Sequence, residues 1–405
     1  MSDVMNPAAD ADAMARRNVF ILAVCLALSM TGISLVMTVS ALAGKMLADN
    51  DSLSTLPLSM QFVATMCATI PASLFMGRVG RRIGFTVGQG IGILGAALAA
   101  YAIFIGSFWW FVAGSMLIGV HNAFWQFYRF AAADTATEEF RPRAISYVMA
   151  GGVFAAIAGP QLAKWSIDLF SPILFAGGYV CIVGLSFLTI ILLQGIRIPK
   201  PVNVGISTAG RPLGKILRQP TLIVAVVAAM LGYAVMTLVM TATPLAMQFC
   251  GFGFDDTATV IQWHALAMFA PSFFTGHLIK RFGVLHIIVV GALLNIGCMA
   301  VNLMGIDFTN FWLGLVLLGL GWNFMFVGGT TLLTETYRPE EQSKVQAVND
   351  FLVFSLVAAA SLSSGVLQHT VGWAAVNAAI ALPMMIAFTL TVWFKVAHGG
   401  RAAAK

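Results

Sequence analysis

Charge is what this sequence has least of. Only 9% of its residues are Asp, Glu, Lys or Arg, against about a quarter in a soluble chain. So few charges do not cover a 405-residue globule in water, which excludes a soluble fold and makes lipid the covering. Cysteine is scarce too. Cys25, Cys67, Cys181, Cys250 and Cys298 lie scattered in apolar segments without paired spacing, which excludes a disulfide framework. Carboxylates are missing from the middle of the apolar runs. Asp134 and Glu335 fall at helix ends and Asp350 about a turn inside, so the buried acid that often carries a coupling proton has no candidate. No metal-hydrolase, nucleophile or phosphate-cradling motif occurs, so no enzyme and no catalytic residue is expected. The net charge of +6 comes from basic residues in short loops, which gives no nucleic-acid signal.

What is abundant is apolar sequence, 59% of the chain with a mean hydropathy of +0.90. A spanning helix needs ~20 mostly apolar residues. Twelve segments qualify, at 18–43, 54–76, 84–105, 108–133, 144–166, 172–195, 221–249, 257–279, 285–304, 309–334, 346–368 and 372–396. The expected fold is an all-α membrane protein of twelve transmembrane helices. Residues 1–17 are polar and end in Arg16-Arg17, so they read as a cytoplasmic tail before a retained first helix. With that end inside, every Lys and Arg except Lys45, Arg129 and Lys164 falls on the cytoplasmic side, and residues 397–405 form a cytoplasmic tail.

The longest connection, 196–220, is rich in Pro, Gly and basic residues and reads as a cytoplasmic linker between bundles 18–195 and 221–396. The two halves repeat. Gly77-x-x-x-Arg81-Arg82-x-Gly84 after the second helix returns as Gly276-x-x-x-Lys280-Arg281-x-Gly283 after the eighth, about 200 residues on. Asn122 through Asp134 and Arg143 are echoed at nearly the same offset by Asn323 through Glu335 and Lys344. Duplicated six-helix bundles are a transporter architecture.

The paired loops, the linker and the twelve helices resemble the major facilitator superfamily over the whole chain. The resemblance implies two pseudo-symmetric six-helix bundles, alternating access, and gating roles for Gly77, Arg81, Arg82, Gly84, Gly276, Lys280, Arg281 and Gly283. One departure stands out. Arg81 and Lys280 occupy the positions where the family usually carries an acid, so a gating salt bridge built on that acid has no counterpart.

Sulfur and imidazole supply the candidate chemistry. Met236 and Met240 lie four apart in the seventh helix, and His264 and Met268 four apart in the eighth, so each pair shares a face. Met240 and Met236 lie ~14 and ~20 Å below the outer end of their helix, and His264 and Met268 ~10 and ~16 Å below theirs. Thioether and imidazole suit copper, above all Cu(I), without burying an unpaired charge. The competing account is packing, the usual role of Met in a helix.

This motif pair in a major facilitator chain resembles the CcoA-type copper importers. That likeness implies Met236, Met240, His264 and Met268 as ligands, copper or a small copper complex as the transported substrate with no resident cofactor, and a monomer in the bacterial inner membrane. It also implies supply of haem–copper oxidase assembly, cbb3-type included. Cys250 and Met247 near the outer mouth, Met30 and Met37 in the first helix, and His121 in the fourth are secondary candidates. The alternative is a carrier of a small organic solute such as riboflavin. Asn122, Trp125, Gln126 and Asn323, among the aromatics of helices four and ten, suit a flat heterocycle. A sensor that binds without translocating is disfavoured, because it needs no duplicated halves.

Overall fold

The computed structural model describes residues 7–134, 141–198, 210–338 and 341–398. Within them the chain is helical. The only pairing outside helices is an isolated bridge between Phe170 and Ile173. Lipid offers no partner for a free N–H or C=O, so long apolar runs close their hydrogen bonds internally as helices. The first half holds α1 (Pro7–Leu47), α2 (Leu56–Val79), α3 (Arg81–Phe104), α4 (Phe108–Trp125), α5 (Tyr128–Asp134), α6 (Arg141–Ser166) and α7 (Ala176–Leu193). The second holds α8 (Leu213–Leu217), α9 (Pro220–Phe249), α10 (Phe254–Phe269), α11 (Ser272–Phe282), α12 (Val284–Met304), α13 (Phe308–Thr334), α14 (Gln342–Thr370), α15 (Trp373–Ala378) and α16 (Ala381–His398).

Nine helices among the described residues are long and apolar enough to cross a membrane. The other three expected spans are present as helices that are shorter, broken or more polar. The fourth is cut at Gln126-Phe127 and carries His121 and Asn122 within α4. The fifth, α6, starts at Arg141 and includes Pro160 and Lys164. The eighth is divided into α10 and α11 at Ala270-Pro271, where proline lacks the N–H a continuous helix needs.

The chain forms two compact units, one of residues 1–36 and 64–205, the other of 37–63 and 206–405. In the first, α3 and α4 approach closely. A Cβ on Gly95 would lie 2.8 Å from the Ile118 nitrogen, so a side chain there would push the helices apart. Arg82 Nε and Nη2 donate to Gln194 Oε1 at 3.1 and 2.9 Å, joining α3 to the end of α7.

In the second unit α9 is central, with 72% of its most apolar stretch buried. Residues 37–63 pack there as well. Lys45 Nζ donates to Gln248 Oε1 at 3.2 Å, and Ser59 Oγ to Ser361 Oγ at 3.1 Å. At the other end of this unit, Arg211 grips Glu341. Its Nε and Nη2 donate to the two carboxylate oxygens at 2.9 and 2.7 Å, its backbone N–H adds a third bond at 2.7 Å, and Nη2 also reaches Thr336 O. Lys344 Nζ donates to Arg211 O at 2.7 Å. Glu341 is fully buried, and the Arg211 hydrogen bonds hold its carboxyl well below the usual carboxylate range.

Candidate solute-binding site

The second unit gathers aromatic rings from four helices. Trp322 and Phe326 lie four apart on α13 and therefore share a face. Their rings stack with centroids 5.0 Å apart and planes 10° from parallel. Tyr233 of α9 stands edge-on to both, at 5.4 Å from each. Phe269, at the end of α10, meets Trp322 at 6.1 Å, and Phe354 of α14 meets Tyr233 at 6.1 Å. Trp322 is buried, while Tyr233, Phe269, Phe326 and Phe354 are half-buried. Close approach of α9 and α13 allows this. Gly329 packs on the Ala225 carbonyl and Gly232 on Met325. The Trp322 indole N–H has no hydrogen-bond partner among the described residues. A parallel ring pair with an upright third ring is a platform for a flat heterocycle.

The proposed copper ligands do not form a polar centre. Met236, Met240 and Met268 sit in one buried apolar cluster with Met247, Val239 and Trp322. His264 is 1% exposed, and its Nδ1 lies 2.8 Å from Leu315 O, so the ring ties α10 to α13. Among the described residues no three His, Cys, Asp or Glu groups are placed to hold a metal. Cys250 caps α9 and is half-buried against the same cluster. Met37 packs on that cluster as well, whereas Met30 packs on the core of the first unit.

Asn323, expected to face solute, is consumed by the fold. Its Nδ2 donates to Met268 O and Ser272 Oγ, both at 2.7 Å, and its Oδ1 accepts from Thr275 Oγ1 at 2.7 Å. It thereby bridges the break between α10 and α11. Asn122 accepts from Trp125 Nε1 at 3.1 Å, and Gln126 caps the end of α4, half-buried. His121 is buried with Nδ1 3.1 Å from Gly88 O. Ser29, Gln89, His121, Asn122, Ser186 and Thr189 border one pocket of the first unit, where Gln89 Nε2 donates to Ser29 Oγ and Tyr128 OH.

The gating loops fold in a different register from the one their sequences suggest. Gly80 (φ 91°) turns the chain between α2 and α3, and Gly283 (φ 87°) turns it between α11 and α12. Gly84, matched to Gly283 by sequence, is buried inside α3. The repeats differ there by one helical turn, because Arg81 and Arg82 open a helix while Lys280 and Arg281 close one. Gly77 and Gly276 lie within helices. Arg81 sits over the Phe127 ring at 5.8 Å, and Arg281 over Phe282 at 5.2 Å. Arg143 lies outside the residues whose side chains are described.

Sequence reasoning missed Tyr233, Gln89 and the Arg211–Glu341 pair. Tyr233 carried a usable signal, since it is an aromatic four residues before Thr237 in an otherwise aliphatic run. Glu341 carried none, because a loop carboxylate reads as solvated.

Comparison with known proteins places this geometry in context. A sequence model of the Major Facilitator Superfamily matches residues 19–361. The chain is 42% identical over 366 residues to the riboflavin transporter RfnT of Brucella anthropi, covering 90% of this chain and 92% of that one. It is 28% identical over 387 residues to YddS of Bacillus subtilis, an uncharacterized MFS-type transporter, covering 90% and 87%. The human organic anion transporter MFSD10 (TETRAN) superposes with a TM-score of 0.68 at 13% identity, covering 93% of this chain and 99% of that one, which is a likeness of fold. Copper import is overturned by the first of these relatives, and the link to oxidase assembly falls with it. The physical reason is plain. Spacing of four puts two side chains on one face, and here Met236, Met240 and Met268 join an apolar cluster, where thioethers pack, while His264 pairs with Leu315 O.

Proposed function

The chain belongs to the major facilitator superfamily as a multi-pass membrane transporter, and on that footing we propose that it carries riboflavin across the bacterial cytoplasmic membrane. The observation that carries this reading is the 42% identity to a riboflavin transporter over nearly the full length of both chains. The aromatic platform of Tyr233, Trp322 and Phe326 supports it. An isoalloxazine ring is flat, wide and polarisable, and stacking on such rings contributes ~0.5–1.5 kcal/mol per aromatic pair beyond area burial. The absence of acids from the middle of the spans fits a substrate without net charge. Both termini are proposed to be cytoplasmic, a reading that the distribution of Lys and Arg supports, and translocation to follow alternating access.

The test is uptake of radiolabelled riboflavin in a riboflavin-auxotrophic bacterial strain expressing the chain. Saturable uptake and growth on low external riboflavin are expected. A protein present in the membrane that gives neither would remove the proposal.

A further inference from the structure

Threonine in a helix ordinarily satisfies its hydroxyl on the carbonyl four residues earlier. This protein follows that habit. Thr243 donates to Val239 O, Thr275 to Pro271 O, Thr331 to Val327 O and Thr391 to Ala387 O, all between 2.7 and 2.8 Å. Thr237 and Thr241 do not. They are 3% and 1% exposed, and neither Oγ1 has a hydrogen-bond partner among the described residues. The contrast with Thr243 lies within one helix.

These two residues fall in line with Tyr233, at positions i, i+4 and i+8 of α9, so the three mark one face. Tyr233 touches Trp322 and Phe326, whose platform also carries the unpartnered indole N–H of Trp322. From Tyr233 to Thr241 the stripe runs ~12 Å along the axis, with the hydroxyls ~6 Å apart. An aromatic foot followed by two groups that both donate and accept matches a flat ring bearing a polyhydroxylated chain.

We infer that Thr237 and Thr241 form the subsite for the ribityl chain of the flavin, while Tyr233, Trp322 and Phe326 take its ring. This rests on the flavin reading above. A buried hydroxyl without a partner is destabilising, and a hydrogen bond from a substrate hydroxyl offsets that cost. Such a site discriminates against analogues that lack the hydroxyls.

The experiment uses the full chain in proteoliposomes, with Thr237→Val, Thr241→Val and the double variant. Valine keeps the branched shape and puts a methyl group where the hydroxyl was. Riboflavin is the substrate, and lumiflavin, the same ring with a methyl group in place of ribityl, is the competitor. In the double variant the riboflavin KM rises about tenfold, as one lost hydrogen bond or two predict. Lumiflavin inhibition stays within about twofold, and the ligand-free melting temperature does not fall. Thr237→Ser, which retains a hydroxyl, keeps a KM near that of the wild type. Equal riboflavin transport by the double variant and wild type overturns the assignment, as do parallel losses of riboflavin and lumiflavin. The single variants carry the same comparison if the double variant does not reach the membrane. Absence of riboflavin accumulation by the wild type instead overturns the flavin reading itself, and the subsite with it.

Discussion

Trp322 lies flat on Phe326, ring centroids 5.0 Å apart, with Tyr233 upright against both. If this pair supports a flavin ring, removing one ring while keeping apolar volume weakens substrate more than fold. Phe326→Leu is expected to raise the riboflavin KM about three- to tenfold, the equivalent of one aromatic contact. Trp322→Phe, which keeps a ring, should lose less. Initial uptake rates at matched membrane expression check both. A Phe326→Leu protein with unchanged KM would place the ring elsewhere.

Asn323 is a structural bridge. Its hydrogen bonds to Met268 O and Thr275 are buried at the break before Pro271, and its third, to the exposed Ser272, is part-buried. Asn323→Leu leaves Met268 O without that donor and strips a partner from two hydroxyls. Each buried group left unpaired costs ~1–3 kcal/mol. Thermal unfolding in detergent should therefore shift down by several degrees, while riboflavin KM in the folded fraction holds steady. A KM effect without a stability effect would return Asn323 to the substrate site.

How far the sequence could see is instructive residue by residue. Its apolar runs located the spans, because hydrophobic length is a property of the chain alone. It did not locate the break at Gln126-Phe127, which carries neither Pro nor Gly and depends on local turns at Phe124 and Asn122. Spacing put Met236 beside Met240 and His264 beside Met268, and both pairs are indeed buried. What spacing does not encode is the neighbour. His264 turns its Nδ1 to Leu315 O, and the thioethers fill an apolar core. The aromatic content of helices four and ten was visible from the start. The partner that turns the second of these into a platform, Tyr233, comes from another helix. Glu341 became a buried group only because Arg211 arrives from a remote part of the chain.

Metal removal checks directly whether copper takes part in transport. Riboflavin uptake is expected to be unaffected by a membrane-impermeant Cu(I) chelator, and cellular copper should be the same with and without the protein. His264→Ala should act through the lost tie to Leu315, lowering thermal stability by roughly one hydrogen bond, ~1 kcal/mol. Protein-dependent copper accumulation that disappears in His264→Ala would revive ligation.

The Arg211–Glu341 pair gives a pH dependence with a definite sign. Arg211 holds the Glu341 carboxyl below its ordinary range, so the folded protein keeps this group ionised at pH values where the unfolded chain protonates it. A carboxylate whose folded pKa is depressed stabilises in full above its unfolded pKa of ~4.3, and that contribution fades as pH falls through the folded value. Glu341→Gln should therefore melt lower than the wild type by a constant margin from about pH 6 to 8. The margin should narrow only below about pH 4, where the unfolded chain takes up a proton that the folded pair does not. Arg211→Ala, which removes the two guanidinium bonds to Glu341 and the one to Thr336 O while keeping the backbone bonds to Glu341 and Lys344, is expected to melt lower still. A gap between wild type and Glu341→Gln that widens toward acid pH would mean that the carboxyl is protonated in the folded protein and that the clasp is not ionic.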